Sequence, residues 1–388
     1  MAYEIYLKKN EEKRIVAGHS WVYANEVARI EGKDKNGSLA SVFSSDGKFI
    51  GKGYINHASK ILVRIFIRGN ETDDKEFYLR RLTEAWQYRV KLGYGNCCRV
   101  VFAEADNLPA LIVDKYGDYL AVQFLSLGVD MRKKLITECL AEIFLPKGIF
   151  ERSDVALRKK EGLTEVKGVL YGEVPDLVEI EENALKMLVD VKNGQKTGYF
   201  LDQKENRFAA RRYAAGGDVL DCFCNSGGFT VNCATVARSV TACDVSRPAL
   251  DSVLKNAEIN GLKNISTVCG DAFALLRDFR KQGKTFDLVI LDPPAFCKTA
   301  DEVKDAYRGY KDINIQGMKL VKSGGFLITC SCSHYMTQTL FERMLTEAAK
   351  ESGRTVRSVE VKTQAPDHPS LLCADETHYL KFYVLHII

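Results

Sequence analysis

The chain has 388 residues, of which 46% are hydrophobic and 27% charged, a composition that excludes disorder as the dominant state. At ~100–200 residues per domain, two or three domains are expected. Nothing approaches the roughly 18 consecutive apolar residues of a membrane span, and Met1-Ala2-Tyr3-Glu4-Ile5-Tyr6-Leu7-Lys8-Lys9 lacks the apolar stretch of a secretion signal, so a cytoplasmic protein is expected. The 12 cysteines include no Cys-x-x-Cys pair and lie mostly in apolar runs, which points to free core thiols and no metal site. The net charge of +4 is uneven: residues 1–70 hold 12 Lys and Arg against 7 Asp and Glu, and the remainder 43 against 44. A small basic module ahead of a neutral body suggests a nucleic-acid-binding appendage.

Residues 1–69 read as short strands separated by turns. Leu39–Phe43 and Lys60–Ile67 are strand-like, and Asn36-Gly37 and Asp46-Gly47 punctuate them, as in a small β-barrel or sandwich. Leu79, Leu82, Trp86 and Val90 recur at helical steps and predict a helix over Phe77–Leu92. Strands follow at Arg99–Glu104, Ala110–Asp114 and Tyr119–Phe124, then a helix over Val129–Phe144 and strands at Leu177–Ile180 and Leu185–Val191. This is an α+β middle segment. From Asp218 the chain alternates strand and helix, the signature of a parallel doubly wound α/β sheet. The predicted strands are Val219–Cys222, Ser239–Asp244, Ile265–Cys269, Phe286–Leu291 and Gly325–Cys330, with a closing antiparallel pair at Val356–Val361 and Tyr379–Ile388.

The first of these strands runs into Asp221-Cys222-Phe223-Cys224-Asn225-Ser226-Gly227-Gly228-Phe229. Glycines here let backbone approach a ligand. The Gly-x-Gly-x-x-Gly spacing of a nicotinamide site is absent, which makes a dehydrogenase the poorest option. Asp244, followed two residues on by Ser246, ends the second strand and suits ribose hydroxyls. Asp271, followed by Ala272, ends the third and could meet an adenine amino group. Asp292 ends the fourth. Each acid alone reads as a helix N-cap. Four at successive strand tips describe a site for S-adenosylmethionine in a class I methyltransferase fold.

Asp292-Pro293-Pro294 makes a rigid tip suited to clamping a flat base. Adenine amino-methyltransferases usually place an aromatic directly after the prolines; here Ala295 precedes Phe296, which weighs against amino-group methylation. The fifth strand ends Thr329-Cys330-Ser331-Cys332-Ser333-His334. A thiolate there could add to carbon 6 of a pyrimidine and activate carbon 5, provided the thiol is ionised. Cys332 lies further out than Cys330 and is favoured. His334 is near in sequence, which does not establish contact. Lys204, Arg207, Arg211 and Arg212 form a basic helix face that is either an RNA contact or a solvated surface.

Several blocks together resemble a known family, the bacterial 23S ribosomal RNA cytosine carbon-5 methyltransferases. They are Gly18–Tyr23, Glu104–Asp114, Lys196–Gln203, Gly227-Gly228-Phe229, Asp292-Pro293-Pro294, Arg308–Asn314, Ser331-Cys332-Ser333 and Asp367-His368-Pro369. The resemblance spans essentially the whole chain. It implies a PUA-like RNA-binding domain over 1–69, an α+β EEHEE middle domain over 70–187 and a Rossmann-like methyltransferase domain over 188–388. It implies Cys332 as nucleophile, with Asp221, Asn225, Gly227, Asp244, Ser246, Asp271 and Asp292 around S-adenosylmethionine; Gly228 and Ala272 adjoin them. Related RNA cytosine methyltransferases carry a second cysteine after the Asp-Pro couple. Here Pro294 and Ala295 stand there, and Cys297, further along, is not expected to substitute. The proton-abstracting base is left open, with Asp292 as candidate. A uracil carbon-5 RNA methyltransferase and a non-catalytic RNA-binding assembly factor are the rival readings.

Overall fold

The computed structural model describes residues 2–388. Contacts divide the chain into two compact units. One holds the chain through Ile180 with Val189–Leu201 and Pro366–Thr377; the other holds Glu181–Leu188, Asp202–Ala365 and His378–Ile388. The expected third domain over 188–388 therefore yields two segments to the first unit. The reason is local: Thr197 Oγ1 donates to Asp114 Oδ2 at 2.5 Å, and Asp367 Oδ2 accepts from the Arg99 amide at 3.0 Å.

In the first unit, six strands form one mixed sheet in the order Trp21–Tyr23, Ile61–Ile67, Phe49–Ile55, Leu39–Phe43, Tyr3–Leu7, Val27–Glu31. Ile5, Leu7, Val42, Ile55, Val63 and Ile65 form its core. A second sheet of five strands runs Val166–Gly172, Gly148–Ser153, Tyr119–Phe124, Leu111–Tyr116, Cys97–Phe102. The helix Lys75–Lys91, capped by the Asp74 side chain, buries Phe77, Tyr78 and Leu82 against it. The single helix expected over Val129–Phe144 is two, Leu127–Asp130 and Lys133–Phe144. Arg132 stands at the break, where its guanidinium binds Asp73 and the Gly37 carbonyl.

In the second unit, helix α1 (Lys204–Ala214) precedes a seven-stranded sheet. Its strands are β1 (Asp218–Cys222), β2 (Ser239–Asp244), β3 (Ile265–Cys269), β4 (Phe286–Leu291), β5 (Val321–Ser331), β6 (Val356–Lys362) and β7 (Lys381–Ile387). The spatial order is β3-β2-β1-β4-β5-β7-β6; the first five are parallel, and β7 runs antiparallel between β5 and β6. Helices α2 (Gly228–Ala234), α3 (Arg247–Ile259), α4 (Ala272–Lys281), α5 (Val303–Leu320) and α6 (Gln338–Ser352) cover it. Successive side chains on a strand point to opposite faces. Leu220, Val289, Leu291 and Leu327 accordingly pack with Leu276, Tyr310, Ile313 and Phe341, while Val219, Leu288, Ile290 and Ile328 pack with Ala210, Phe229 and Cys233. Both faces of the central strands are covered, which is why β4 reads as a nearly continuous apolar run. The reversal of strand order at β1 leaves a crevice outside the carboxyl ends, where ligands bind in such sheets.

Candidate active site at the carboxyl edge of the sheet

Asp221, near the end of β1, is only 1% exposed. Its Oδ2 accepts from the Thr230 hydroxyl at 2.5 Å, but its Oδ1 has no hydrogen-bond partner among the described residues. Burial, reinforced by the charges of Asp292 and Asp244, pushes its carboxyl up to about 7 against the pull of Thr230. The loop that follows is tightly wound. Phe223 and Asn225 have positive φ (63° and 49°), as does Gly227 (88°), where a Cβ would meet Val253 at 3.0 Å. Glycine relieves both constraints there.

Asp244 at the end of β2 stitches two loops together. One oxygen accepts from the Asn225 amide and the other from the Ser246 amide, both at 2.9 Å. Ser246 caps α3 through the Ala249 amide. Asp271 caps α4 through the Ala274 amide at 3.0 Å, and Ala272 is buried behind it. The N-cap reading thus holds for Asp271, with its second carboxyl oxygen on an exposed residue. Asp292, half-buried past β4, accepts from Gln203 Nε2 at 3.1 Å. Gln203 is itself held by Asn206 at 2.6 Å. Phe296 lies over Tyr310, ring centroids 4.6 Å apart.

The two cysteines of the fifth tip separate clearly. Cys330 is fully buried among Phe382, Val384 and Ile290, and burial drives its thiol well above the ordinary range. Cys332 is half-buried, one residue beyond β5. Its turn is pinned on both sides: Ser333 Oγ meets Tyr310 Oη at 3.0 Å and accepts from the Cys297 amide at 3.3 Å. The carbonyl of Ser333 accepts from Lys381 Nζ at 2.7 Å. Cys297 is buried, its Sγ against the Thr299 carbonyl, and burial raises its thiol. His334 is exposed and its ring lies against Tyr335.

The structure revises one surface. Arg207 is buried in a two-pronged ion pair with Glu182 (2.6 and 2.7 Å), Lys204 is buried, and Arg211 binds Asn232 and the Asn183 carbonyl. Only Arg212 of that helix face is exposed. Charge pattern alone could not separate a solvated arginine from one seated against a buried glutamate. Sequence reasoning also passed over Gln203, Tyr310 and Lys381. Gln203 and Tyr310 lie within the segments Lys196–Gln203 and Arg308–Asn314, whereas Lys381 is a lone cation at the head of an apolar strand whose meaning depends on register. Lys8, Lys9, Lys13, Lys33 and Lys35, in the loops and short helix around the N-terminal sheet, are exposed, whereas Arg14 and Arg64 pair with Glu26 and Glu161. Among the described residues no helix is long and apolar enough to cross a membrane.

Comparison with known proteins fits this geometry. Residues 5–68 match the PUA-like domain family, and residues 155–383 match the S-adenosylmethionine-dependent methyltransferase family. A curated relative from Aeromonas hydrophila named "Ribosomal RNA large subunit methyltransferase I" is 42% identical over 398 residues, covering 99% of both chains. Proteins of the same name from Cronobacter sakazakii (39% identical, 100% of both chains) and Vibrio cholerae (40%, 99% of both) are also similar. A solved Streptococcus mutans chain described as a methyltransferase aligns over the full length of both chains with a TM-score of 0.84 at 20% identity, which shows a shared fold.

Proposed function

We propose that this chain, which belongs to the ribosomal RNA large subunit methyltransferase I family of S-adenosylmethionine-dependent methyltransferases, methylates carbon 5 of a cytosine in 23S ribosomal RNA through a transient bond from Cys332. The observation that carries this reading is the placement of Cys332. It is half-buried at the end of β5, beside the Asp292-Pro293-Pro294 tip of the parallel neighbour β4.

The residues at the sheet edge fit the donor. The open oxygen of Asp221 is suited to a cationic group, and Asp244 keeps its carboxylate fixed by two amides at the place where ribose hydroxyls would lie. Asn225, Gly227 and Gly228 would let backbone approach the ligand, Ser246 fixes the start of α3, and Asp271 with Ala272 would lie toward the adenine end. S-adenosylmethionine, when bound, supplies an electrophilic methyl group and leaves as the neutral thioether. Addition of the Cys332 sulfur to carbon 6 moves electron density onto carbon 5, the atom that takes the methyl. Asp292 is assigned the base that then removes the carbon 5 proton. Loss of that proton restores the ring double bond and expels the thiolate. The PUA-like domain, with its exposed lysines, is assigned the RNA grip.

Mass-spectrometric nucleoside analysis of ribosomal RNA, with and without the protein, tests the reaction. 5-Methylcytidine in large-subunit RNA is expected, and 5-methyluridine as sole product would overturn it. A protein that neither binds S-adenosylmethionine nor loses turnover on Cys332→Ala would be an assembly factor instead.

A further inference from the structure

We propose that Lys381 is a positioning residue that holds Cys332 as a thiolate, a role that rests on the reading of Cys332 as nucleophile. Lys381 opens β7 directly opposite Ser331, the last residue of β5. Its ammonium donates to the carbonyls of Ser333 and Tyr379, both at 2.7 Å. Cys332 therefore sits between a residue paired with Lys381 through strand register and a residue bonded to its Nζ. Register fixes the Lys381 backbone on one side of Cys332, and the Ser333 carbonyl holds its ammonium on the other.

Lys381 is only 6% exposed, and a buried cation without a counter-ion is costly. Among the described residues no carboxylate lies within ion-pair distance of it. Glu342 is engaged by Tyr383 and Gln338, and Glu360 by Tyr213 and Lys362. Burial lowers the Lys381 ammonium to about 8, and the one charge that raises it is that of Cys332. Such coupling is reciprocal: whatever the thiolate does to keep the lysine protonated, the lysine does to keep the cysteine ionised. The other titratable groups acting on this turn cannot replace it. Tyr310 on α5 is pushed up to about 12 by burial, Cys330 on β5 is raised well beyond its ordinary range, and both remain neutral. Asp292, at the β4 tip, carries the wrong sign. His334, on the same turn, is exposed with its ring against Tyr335. An open pocket of about 240 Å³ bordered by Lys362, Thr363, His378 and Tyr383 reaches Lys381.

The test is the pH dependence of Cys332 alkylation by iodoacetamide in the full-length protein, read by mass spectrometry of the Cys332 peptide without RNA or cofactor. The wild-type midpoint is expected at least one unit below the ~8.5 of free cysteine. K381M and K381Q should raise it by a unit or more, slowing alkylation about tenfold at neutral pH, and K381R should restore most of it. Turnover of K381Q should recover towards wild type as pH rises and the thiol ionises unaided. A wild-type midpoint at the free-cysteine value overturns the proposal even where both uncharged variants misfold. So does a folded K381Q with an unshifted profile. A product other than 5-methylcytidine would remove the assigned reaction while leaving the alkylation shift in place, so the two failures are distinguishable.

Discussion

Two regions of this protein bury charge, and they treat it in opposite ways. In the five-stranded sheet of the first unit the fully buried arginines and acids are paired. Arg99 grips both oxygens of Asp114 at 2.7 Å, and Arg89 grips Asp106 and the Asp367 carbonyl. Asp367 in turn holds the ring of His368 at 2.8 Å. At the carboxyl edge of the seven-stranded sheet, by contrast, among the described residues Asp221 keeps a buried oxygen with no partner, and Lys381 has carbonyls but no carboxylate. A buried ion pair that is complete holds structure together, while an incomplete one is tolerable when a ligand or a reacting group completes it. This also separates the sequence blocks. Glu104–Asp114 and Asp367-His368-Pro369 look as distinctive as Ser331-Cys332-Ser333, yet the first two are joined into a satisfied internal network.

The comparison can be broken from either side, and the largest expected effect is at the sheet edge. Cys332→Ala should lower methyl transfer by at least about 10³-fold while leaving S-adenosylmethionine affinity within about twofold, measured by calorimetry; equal losses of both would erase the division between nucleophile and cofactor residues. Arg99→Met should then cost about 3–5 kcal/mol of stability in denaturant unfolding, because it strands the buried Asp114. Asp221→Asn should do the reverse. Its carboxyl is raised in the folded state, so the native contribution it makes at acid pH is lost as pH climbs from about 4 towards the folded value of about 7. The asparagine variant is therefore expected to melt higher than wild type, by more at pH 8 than at pH 5.

Smaller effects sharpen the picture. Asp244→Ala should weaken cofactor binding about 10- to 100-fold, the worth of charge-assisted hydrogen bonds. Wild-type cofactor affinity should fall by up to about tenfold per pH unit once the pH drops below the Asp221 value, since a cationic ligand needs the ionised carboxylate; Asp221→Asn should flatten that dependence. Smallest is the effect of changing one exposed lysine in the turns around the N-terminal sheet, Lys9→Gln for instance. It should reduce the salt dependence of RNA binding by about 0.7–0.9 in log–log slope if that lysine meets a phosphate.

Much of the parallel sheet was legible in advance. Ser239–Asp244, Ile265–Cys269 and Phe286–Leu291 begin and end where expected, because short runs rich in β-branched and apolar residues bounded by turn residues mark strands at the centre and the edge of a sheet alike. The acids at the strand tips were legible for the same reason, each standing where such a run stops. What failed were inferences from local charge or local period. Arg207 looked like surface, and the helix expected over Val129–Phe144 concealed a break at an arginine drawn to Asp73.

The sequence by itself determined the order of elements, the strand-tip carboxylates and the preference for Cys332 over Cys330, since all of these follow from neighbours along the chain. Only the tertiary structure decided which charges are satisfied. It brought Thr197 and Asp367 to Asp114 and Arg99, left one oxygen of Asp221 alone, and set Lys381 opposite Ser331. Burial and hydrogen-bond partners depend on segments tens to hundreds of residues apart, and the electrostatics of a buried group are set by those distant neighbours rather than by the residues on either side of it.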